Sequence, residues 1–213
     1  MKKRFRVFVE GLADKKFIGD YYRHLFQENA PQYSINHTGE LMGARTGGFQ
    51  KLSHEMTVRE MRINSDNDGV NLVIFEADKD IEARRKELLA IQEQYGVTFE
   101  LFLLPNNHDA GALEDLLEHI INPNHRPNFD CWEHYEQELV RLDIPGRTPP
   151  PLTTPAKKTK IYGYLEALLG KSKSQKELIK EANRNYEDAQ HWNLDAEYLE
   201  PLKSFLENNI GIL

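Results

Sequence analysis

Four consecutive apolar residues, 72–75, run straight into three acids at alternate positions, Glu76, Asp78 and Asp80. An apolar run this short suits a strand buried on both faces, the kind found in parallel sheets covered by helices. The acids then stand at the carboxyl end of that strand, beside a helical pattern that opens at Asp80-Ile81-Glu82. An open α/β sheet places its ligand site at such an edge. Period-two alternation predicts that Glu76 and Asp78 point to one side. Carboxylates held that close repel one another unless a cation neutralises them. The competing reading is that they are strand-exit and helix-cap acids, which are common.

The rest of the chain repeats the strand–helix alternation. Phe5–Val9 reads as a first strand ending at Glu10-Gly11, and Asp14 precedes a helix with the apolar stripe Phe17, Ile18, Tyr21, Tyr22, Leu25 and Phe26. That spacing belongs to a helix packed on a sheet, and Ala30-Pro31 is its predicted stop. Residues 33–38 alternate as a second strand. A glycine-rich loop (Gly43, Arg45, Gly47, Gly48) leads to a helix predicted over 49–63, and the turn at 65–69 delivers the chain into the central strand. A helix over 81–95 follows with Leu88, Leu89 and Ile91 facing inward, then a strand over 98–104. The helix after it carries Leu113, Leu116, Leu117, Ile120 and Ile121 at i, i+3, i+4, i+7 and i+8.

This order predicts an α/β fold over residues 1–125, a mostly parallel sheet with helices on both faces. Right-handed crossovers bring the carboxyl ends of the first and central strands to one edge, so Glu10 and the acids of 76–80 can meet there. Residues 126–213 read as a helical region packing on the sheet, with a stiff proline-rich connection over 145–155. Within it Thr154-Pro155 is expected to open one helix and Ser174 with Glu177 to form the capping box of another.

Composition narrows the function classes. With 213 residues and 39% hydrophobic content, the chain can bury a core, which argues against wholesale disorder. A formal net charge of -7 argues against a uniformly basic nucleic-acid binder, though not against a local basic patch. The single cysteine, Cys131, rules out an intrachain disulfide and a cysteine-based zinc cluster. Its neighbours Phe129 and Trp132 predict a buried or half-buried thiol. No apolar run reaches membrane-spanning length. Met1-Lys2-Lys3-Arg4 is similar to a signal n-region, but Glu10 and Asp14 interrupt any apolar stretch after it, so the expected compartment is the cytoplasm.

The candidate site gathers Glu10, Glu76, Asp78, Asp80 and Glu114. On a helical wheel Glu114 flanks the Leu113/Leu117/Ile121 stripe and looks toward the sheet edge, whereas Asp115 points nearly opposite, to solvent. Hard oxygen ligands suit Mg²⁺ or Mn²⁺, not zinc. Two such ions about 3.5–4 Å apart stabilise both the attacking and the leaving oxygen of a phosphodiester displacement.

Val9-Glu10-Gly11 at the end of a first strand, then Phe75-Glu76-Ala77-Asp78-Lys79-Asp80 at the end of a later one, resembles the Toprim domain of topoisomerases, bacterial primases and OLD-family nucleases. With Leu113-Glu114-Asp115-Leu116 after another strand and Trp192-Asn193-Leu194-Asp195 near the end, the chain is most similar to small stand-alone Toprim-like proteins of unassigned function. The resemblance covers about the whole chain. It implies a Rossmann-like Toprim fold and Mg²⁺-dependent hydrolysis or nicking of nucleic acid. Glu10, Glu76, Asp78 and Asp80 would hold metal, and Glu10, Asp78, Asp80 and Glu114 would take part in catalysis. Glu76 departs from the pattern, which has Asp there, and reaches one methylene further. The nucleases also use a late lysine on the transferring phosphate; Lys158, Lys160, Lys171 and Lys173 are the candidates. A partner ATPase or a homodimer is compatible with the resemblance. The alternative is a non-catalytic, degenerate Toprim module that binds a nucleotide or protein partner.

Three further features carry weaker readings. Gly47-Gly48 offers backbone amides to a phosphate but matches no P-loop, so a plain loop is the simpler expectation. His108 is either a proton carrier near the site or a surface loop residue. Arg84-Arg85-Lys86 either touches nucleic-acid backbone or forms a solvated helix face.

Overall fold

Side chains of the central strands divide with a period of two between two apolar layers. Val7, Val9, Leu72, Ile74, Phe102 and Leu104 enter one buried cluster. Phe8, Val73, Phe75 and Leu103 enter the other. In this computed structural model, which describes residues 4–27, 33–43, 47–147 and 152–210, the strands are β1 (Phe5–Val9), β2 (Tyr33–His37), β3 (Val70–Glu76) and β4 (Glu100–Leu104). They form a parallel sheet in the order β2-β1-β3-β4. The fold is therefore Rossmann-like α/β with a helical C-terminal part, as the strand–helix alternation predicts.

Helices α1 (Leu12–Phe26) and α4 (Leu113–His119) pack on the first layer through Phe17, Ile18, Tyr21, Tyr22, Leu113, Leu116 and Leu117. The second layer is covered by α2 (Glu55–Asp66) and α3 (Ile81–Tyr95) through Val58, Met61, Leu88 and Ile91. Leu89, expected to face inward, is 40% exposed, because α3 meets the sheet along a narrow stripe. The remaining helices are α5 (Arg126–Leu139), α6 (Lys157–Leu169), α7 (Lys173–Ile179) and α8 (Glu200–Ile210). Ile161 and Tyr164 of α6, Trp192, and Leu202 and Leu206 of α8 belong to the same buried cluster as Phe17 and Phe102. The C-terminal part thus completes the first apolar layer.

One buried acid moors it. Asp20, on α1, accepts the Tyr186 amide at 2.9 Å and pairs with Lys16 and Arg23, both at 2.5 Å. Ile121 forms an isolated antiparallel bridge to Trp192, and the Asn193 amide reaches the Ile120 carbonyl at 2.6 Å. Those bonds explain why α4 stops at His119 although Ile120 and Ile121 continue its apolar periodicity.

Three local expectations are corrected. Residues 49–51 form a single 3₁₀ turn (Phe49–Lys51), and α2 starts at Glu55, capped by the His54 ring accepting the Met56 amide at 3.3 Å. Helix α7 is capped by Ser172 with Gln175, two residues before the predicted Ser174 with Glu177. Cys131 is exposed, since α5 buries only Phe129. The predicted stop at Ala30-Pro31, Arg45 of the glycine-rich loop and the prolines at 149–151 lie outside the described residues. Among the described residues no helix is long and apolar enough to cross a membrane.

Topology singles out one edge. From β1 the chain crosses to β2 on one side, and from β3 it crosses to β4 on the other. The connections therefore diverge between β1 and β3, the position at which open α/β sheets bind ligands outside their carboxyl ends. Val9, the last residue of β1, pairs with Ile74 of β3. Glu10 follows the first and Glu76 ends the second.

Candidate acidic site at the sheet edge

The chain leaves β1 through Glu10-Gly11 and turns at once into α1. The turn is closed by the Gly11 amide donating to Asp14 Oδ2 at 2.7 Å. Asp14 stands three and four residues before Phe17 and Ile18, so it shares their inward face and is only 4% exposed. Burial pushes its pKa up to about 7; the Gly11 hydrogen bond opposes this, and the charges of Glu10 and Glu114 add to it.

Glu76, the last residue of β3, accepts the Leu113 amide through Oε1 at 3.2 Å. Burial is the first cause of its raised pKa, about 8, followed by the charge of Asp14. The Leu113 amide opposes, and Glu114 and Glu10 raise it further. Four carboxylates thus act on one another from the exit of β1, the first turn of α1, the end of β3 and the first turn of α4. Two of their oxygens, Glu10 Oε2 and Asp14 Oδ1, are buried without a hydrogen-bond partner. Buried polar atoms are seldom left so, since each costs about 1–3 kcal/mol.

Gly47-Gly48 holds the Glu10 backbone from above. The Gly48 amide donates to the Glu10 carbonyl at 3.0 Å, and the Thr38 hydroxyl donates to the Gly48 carbonyl at 3.0 Å. A Cβ at Gly47 would be driven into the Glu10 carbonyl oxygen, a backbone atom that cannot step aside. Gly47→Ala is therefore expected to cost about 1–3 kcal/mol, read as a lower melting temperature, and to displace Glu10. A melt equal to wild type would remove this loop from the site.

Of the five predicted acids, the fold brings Glu10, Glu76 and Glu114 together and turns Asp78 and Asp80 away. Asp78 is no longer in the strand: it takes a left-handed φ of 53°, so period-two alternation fails there. Its amide donates to the Gly111 carbonyl at 2.9 Å, and its half-exposed carboxylate pairs with Arg84. Asp80 is the N-cap of α3 and accepts the Ala83 amide at 3.0 Å. The strand-exit and helix-cap reading thus describes these two. Asp115 is not the solvated acid expected: it accepts the Ala112 amide at 2.8 Å and pairs with Lys157.

The basic candidates separate in the same way. Arg84 stacks over Phe49 at 4.7 Å and donates to the Glu76 carbonyl at 3.2 Å, while Arg85 bonds Asn107. Both are internal to the fold. Lys160 is 5% exposed and pairs with Glu118 at 2.9 Å and Glu133 at 3.6 Å. Lys171 and Lys173 are exposed at the start of α7. Lys158 pairs with Glu181, and that hydrogen bond raises its pKa most; burial opposes, and the charges of Glu181, Tyr162 and Glu114 add to the rise. His108 is a surface loop residue, 89% exposed and paired with Asp109 at 3.0 Å.

Asp14 joins the site unforeseen, although its place on the Phe17/Ile18/Tyr21 stripe is legible as an acid on a buried helix face. Among the described residues no three His, Cys, Asp or Glu side chains already converge on one point at metal-ligating distance. The donor set nevertheless fits a hard divalent cation, with two orphaned buried oxygens among four carboxylates. Drawing all four onto one ion requires side-chain rotation at the partly exposed Glu10, Glu76 and Glu114.

Fold and edge together define a Rossmann-like α/β protein with a carboxylate cluster at its topological switch point. The family model of DUF3226, proteins of unknown function, matches residues 4–210, and the chain belongs to that family. Searches of the curated proteins and of the solved structures return no match.

Proposed function

We propose that this protein is a Mg²⁺- or Mn²⁺-dependent phosphodiesterase acting on nucleic acid, with Glu10, Asp14, Glu76 and Glu114 as its working carboxylates. The observation that carries this reading is the pair of buried, unpartnered oxygens, Glu10 Oε2 and Asp14 Oδ1, at the switch point between β1 and β3. Glu10 and Asp14 would hold the cation, Glu76 and Glu114 would complete its shell or orient water, and Lys158 would face the phosphate. A bound divalent ion supplies Lewis-acid polarisation of a phosphoryl oxygen and lowers the pKa of its water. The Toprim resemblance supports the same reaction class through Glu10, Glu76 and Glu114, with Asp14 in place of Asp78 and Asp80.

A second reading is favoured by the engagement of Asp78 with Arg84 and of Asp80 with the Ala83 amide. On that reading the edge binds a nucleotide or protein partner without catalysis. Cleavage of plasmid and single-stranded DNA in Mg²⁺ or Mn²⁺ separates the two, run with wild type, Glu10→Gln and Asp78→Ala. Catalysis predicts that Glu10→Gln abolishes cleavage. Asp78→Ala, which removes a solvent-screened ion pair and sets alanine at a left-handed φ, together costing about 1–3 kcal/mol of stability, should keep most of it. Loss of activity in Asp78→Ala with an unchanged melting temperature would return Asp78 to the site. Cation binding with no cleavage by wild type would favour the non-catalytic module.

A further inference from the structure

A small cavity lies between α6, α7 and the loop that leads on toward α8. Its volume is about 190 Å³, and Leu165, Leu169, Leu178 and Trp192 give it apolar walls. Leu165 and Trp192 are buried, whereas Leu178 stands at the rim, 54% exposed, and the exposed Asn183 and Asn185 leave the mouth polar. None of the four carboxylates of the sheet edge lines it.

The charged and titratable groups on its wall are Arg184, Asp188 and His191. Arg184 is 1% exposed and heads the fully buried side chains by volume. The groups that meet its guanidinium are neutral. Nε donates to the Ile179 carbonyl at 2.9 Å, and the Tyr162 ring lies 4.7 Å away. The Tyr186 hydroxyl lies against it, with no well-aligned hydrogen bond at Nη2. Burial pushes the Tyr186 pKa up to about 12, so the phenol keeps its proton and supplies no counter-charge. Among the described residues no carboxylate comes within ion-pairing distance of Arg184. Asp188, the one acid on the wall, is engaged elsewhere: Oδ1 accepts the Gln190 amide at 3.0 Å, and Oδ2 pairs with His191 Nδ1 at 3.1 Å. A guanidinium buried among neutral partners is costly unless an anion reaches it, and the cavity gives an anion access.

We propose that this cavity binds a small monocarboxylate with a short apolar body, its head group on Arg184 and its chain against Leu165, Leu169 and Trp192. Charge selects the head group: one guanidinium balances one carboxylate, and its terminal N–H groups offer a planar match to the two oxygens. A doubly charged phosphate would leave surplus negative charge beside Asp188, which repels it. Volume selects the body, because the cavity is smaller than the roughly 300–1,000 Å³ of pockets that enclose drug-sized ligands. The residues bind and make or break no bond. The site is independent of the reading given above for the sheet edge, and neither depends on the other.

The test follows Trp192 fluorescence in the full chain carrying Trp132→Phe, which leaves Trp192 as its single tryptophan, while pentanoate is added. Pentanamide, of the same length without the charge, and inorganic phosphate are the comparison ligands. Pentanoate is expected to shift the emission saturably at millimolar concentration. Pentanamide and phosphate should bind about tenfold more weakly or worse, the ratio that one charge-assisted hydrogen-bonded contact supplies. In the same background Arg184→Gln should abolish the pentanoate response. Leu178→Glu, a change at the exposed rim, places a like charge at the mouth and should weaken pentanoate about threefold with the melting temperature unchanged. If Arg184→Gln fails to fold, Leu178→Glu and the pentanamide comparison decide. Equal affinity for pentanoate and pentanamide, or an unaltered response in Leu178→Glu, overturns the proposal. So does phosphate binding in place of pentanoate, or the absence of a saturable response to any of the three.

Discussion

Glu76→Gln should raise the melting temperature at pH 8 by about 4–8 °C and change it little at pH 4–5. In the folded chain the Glu76 carboxyl holds its proton up to about 8, against an ordinary 4.5, and Asp14 holds its own up to about 7. Unfolded, both lose their protons near the ordinary carboxylate range. Between roughly pH 4 and 8 the folded state therefore binds more protons than the unfolded one. Stability is full below that window and falls as pH rises through it. Glutamine removes the contribution of one acid yet keeps an oxygen for the Leu113 amide. A gain on the order of 2 kcal/mol corresponds to the stated shift for a chain of this size. Added Mg²⁺ should stabilise wild type more at pH 8 than at pH 5, because the ion competes with protons for the same oxygens. Glu76→Gln should lose that response. Melts across pH 4–9, with and without 10-fold excess cation over the midpoint, check both halves, and a variant less stable at every pH would make Glu76 a structural acceptor only.

Asp20→Ala, distant from the carboxylate cluster, should cost about 3 kcal/mol of stability. Asp20 is completely buried, accepts the Tyr186 amide and neutralises Lys16 and Arg23. Alanine leaves the Tyr186 amide without its acceptor, and hydrogen bonds to charged groups contribute about 1.5–3 kcal/mol, with a further cost for the orphaned donor. Lys16 and Arg23 recover hydration, which limits the loss. Asp20→Asn keeps an acceptor for the amide and should cost less than half as much. Urea denaturation of the two variants separates the amide bond from the ion pairs. Equal losses for alanine and asparagine would assign the whole effect to the ion pairs.

The strands and the stripe of α1 were legible because each rests on a short-range period. Phe5–Val9, Leu72 to Phe75 and Phe17/Ile18/Tyr21/Tyr22 fall where binary patterning places them. Caps were less legible: Ser172 and Ser174 are both competent N-cap residues, and the Ser172–Gln175 box is the one that forms. The acidic site was half legible. Glu10, Glu76 and Glu114 follow from strand ends and a helical wheel, but Asp78 leaves the strand through a left-handed backbone that no residue spacing announces. Arg84, one turn into α3, then takes its carboxylate.

By itself the sequence determined the parallel sheet, its two covered faces and the strand ends that carry acids, because periods of 2 and 3.6 are local properties of the backbone. Only the tertiary structure decided which acids meet. It brought in Asp14, and sent Asp78 to Arg84 and Asp80 to the Ala83 amide. The physical reason is that burial and electrostatic contact are set by side chains distant in the chain, and neither has a period to read.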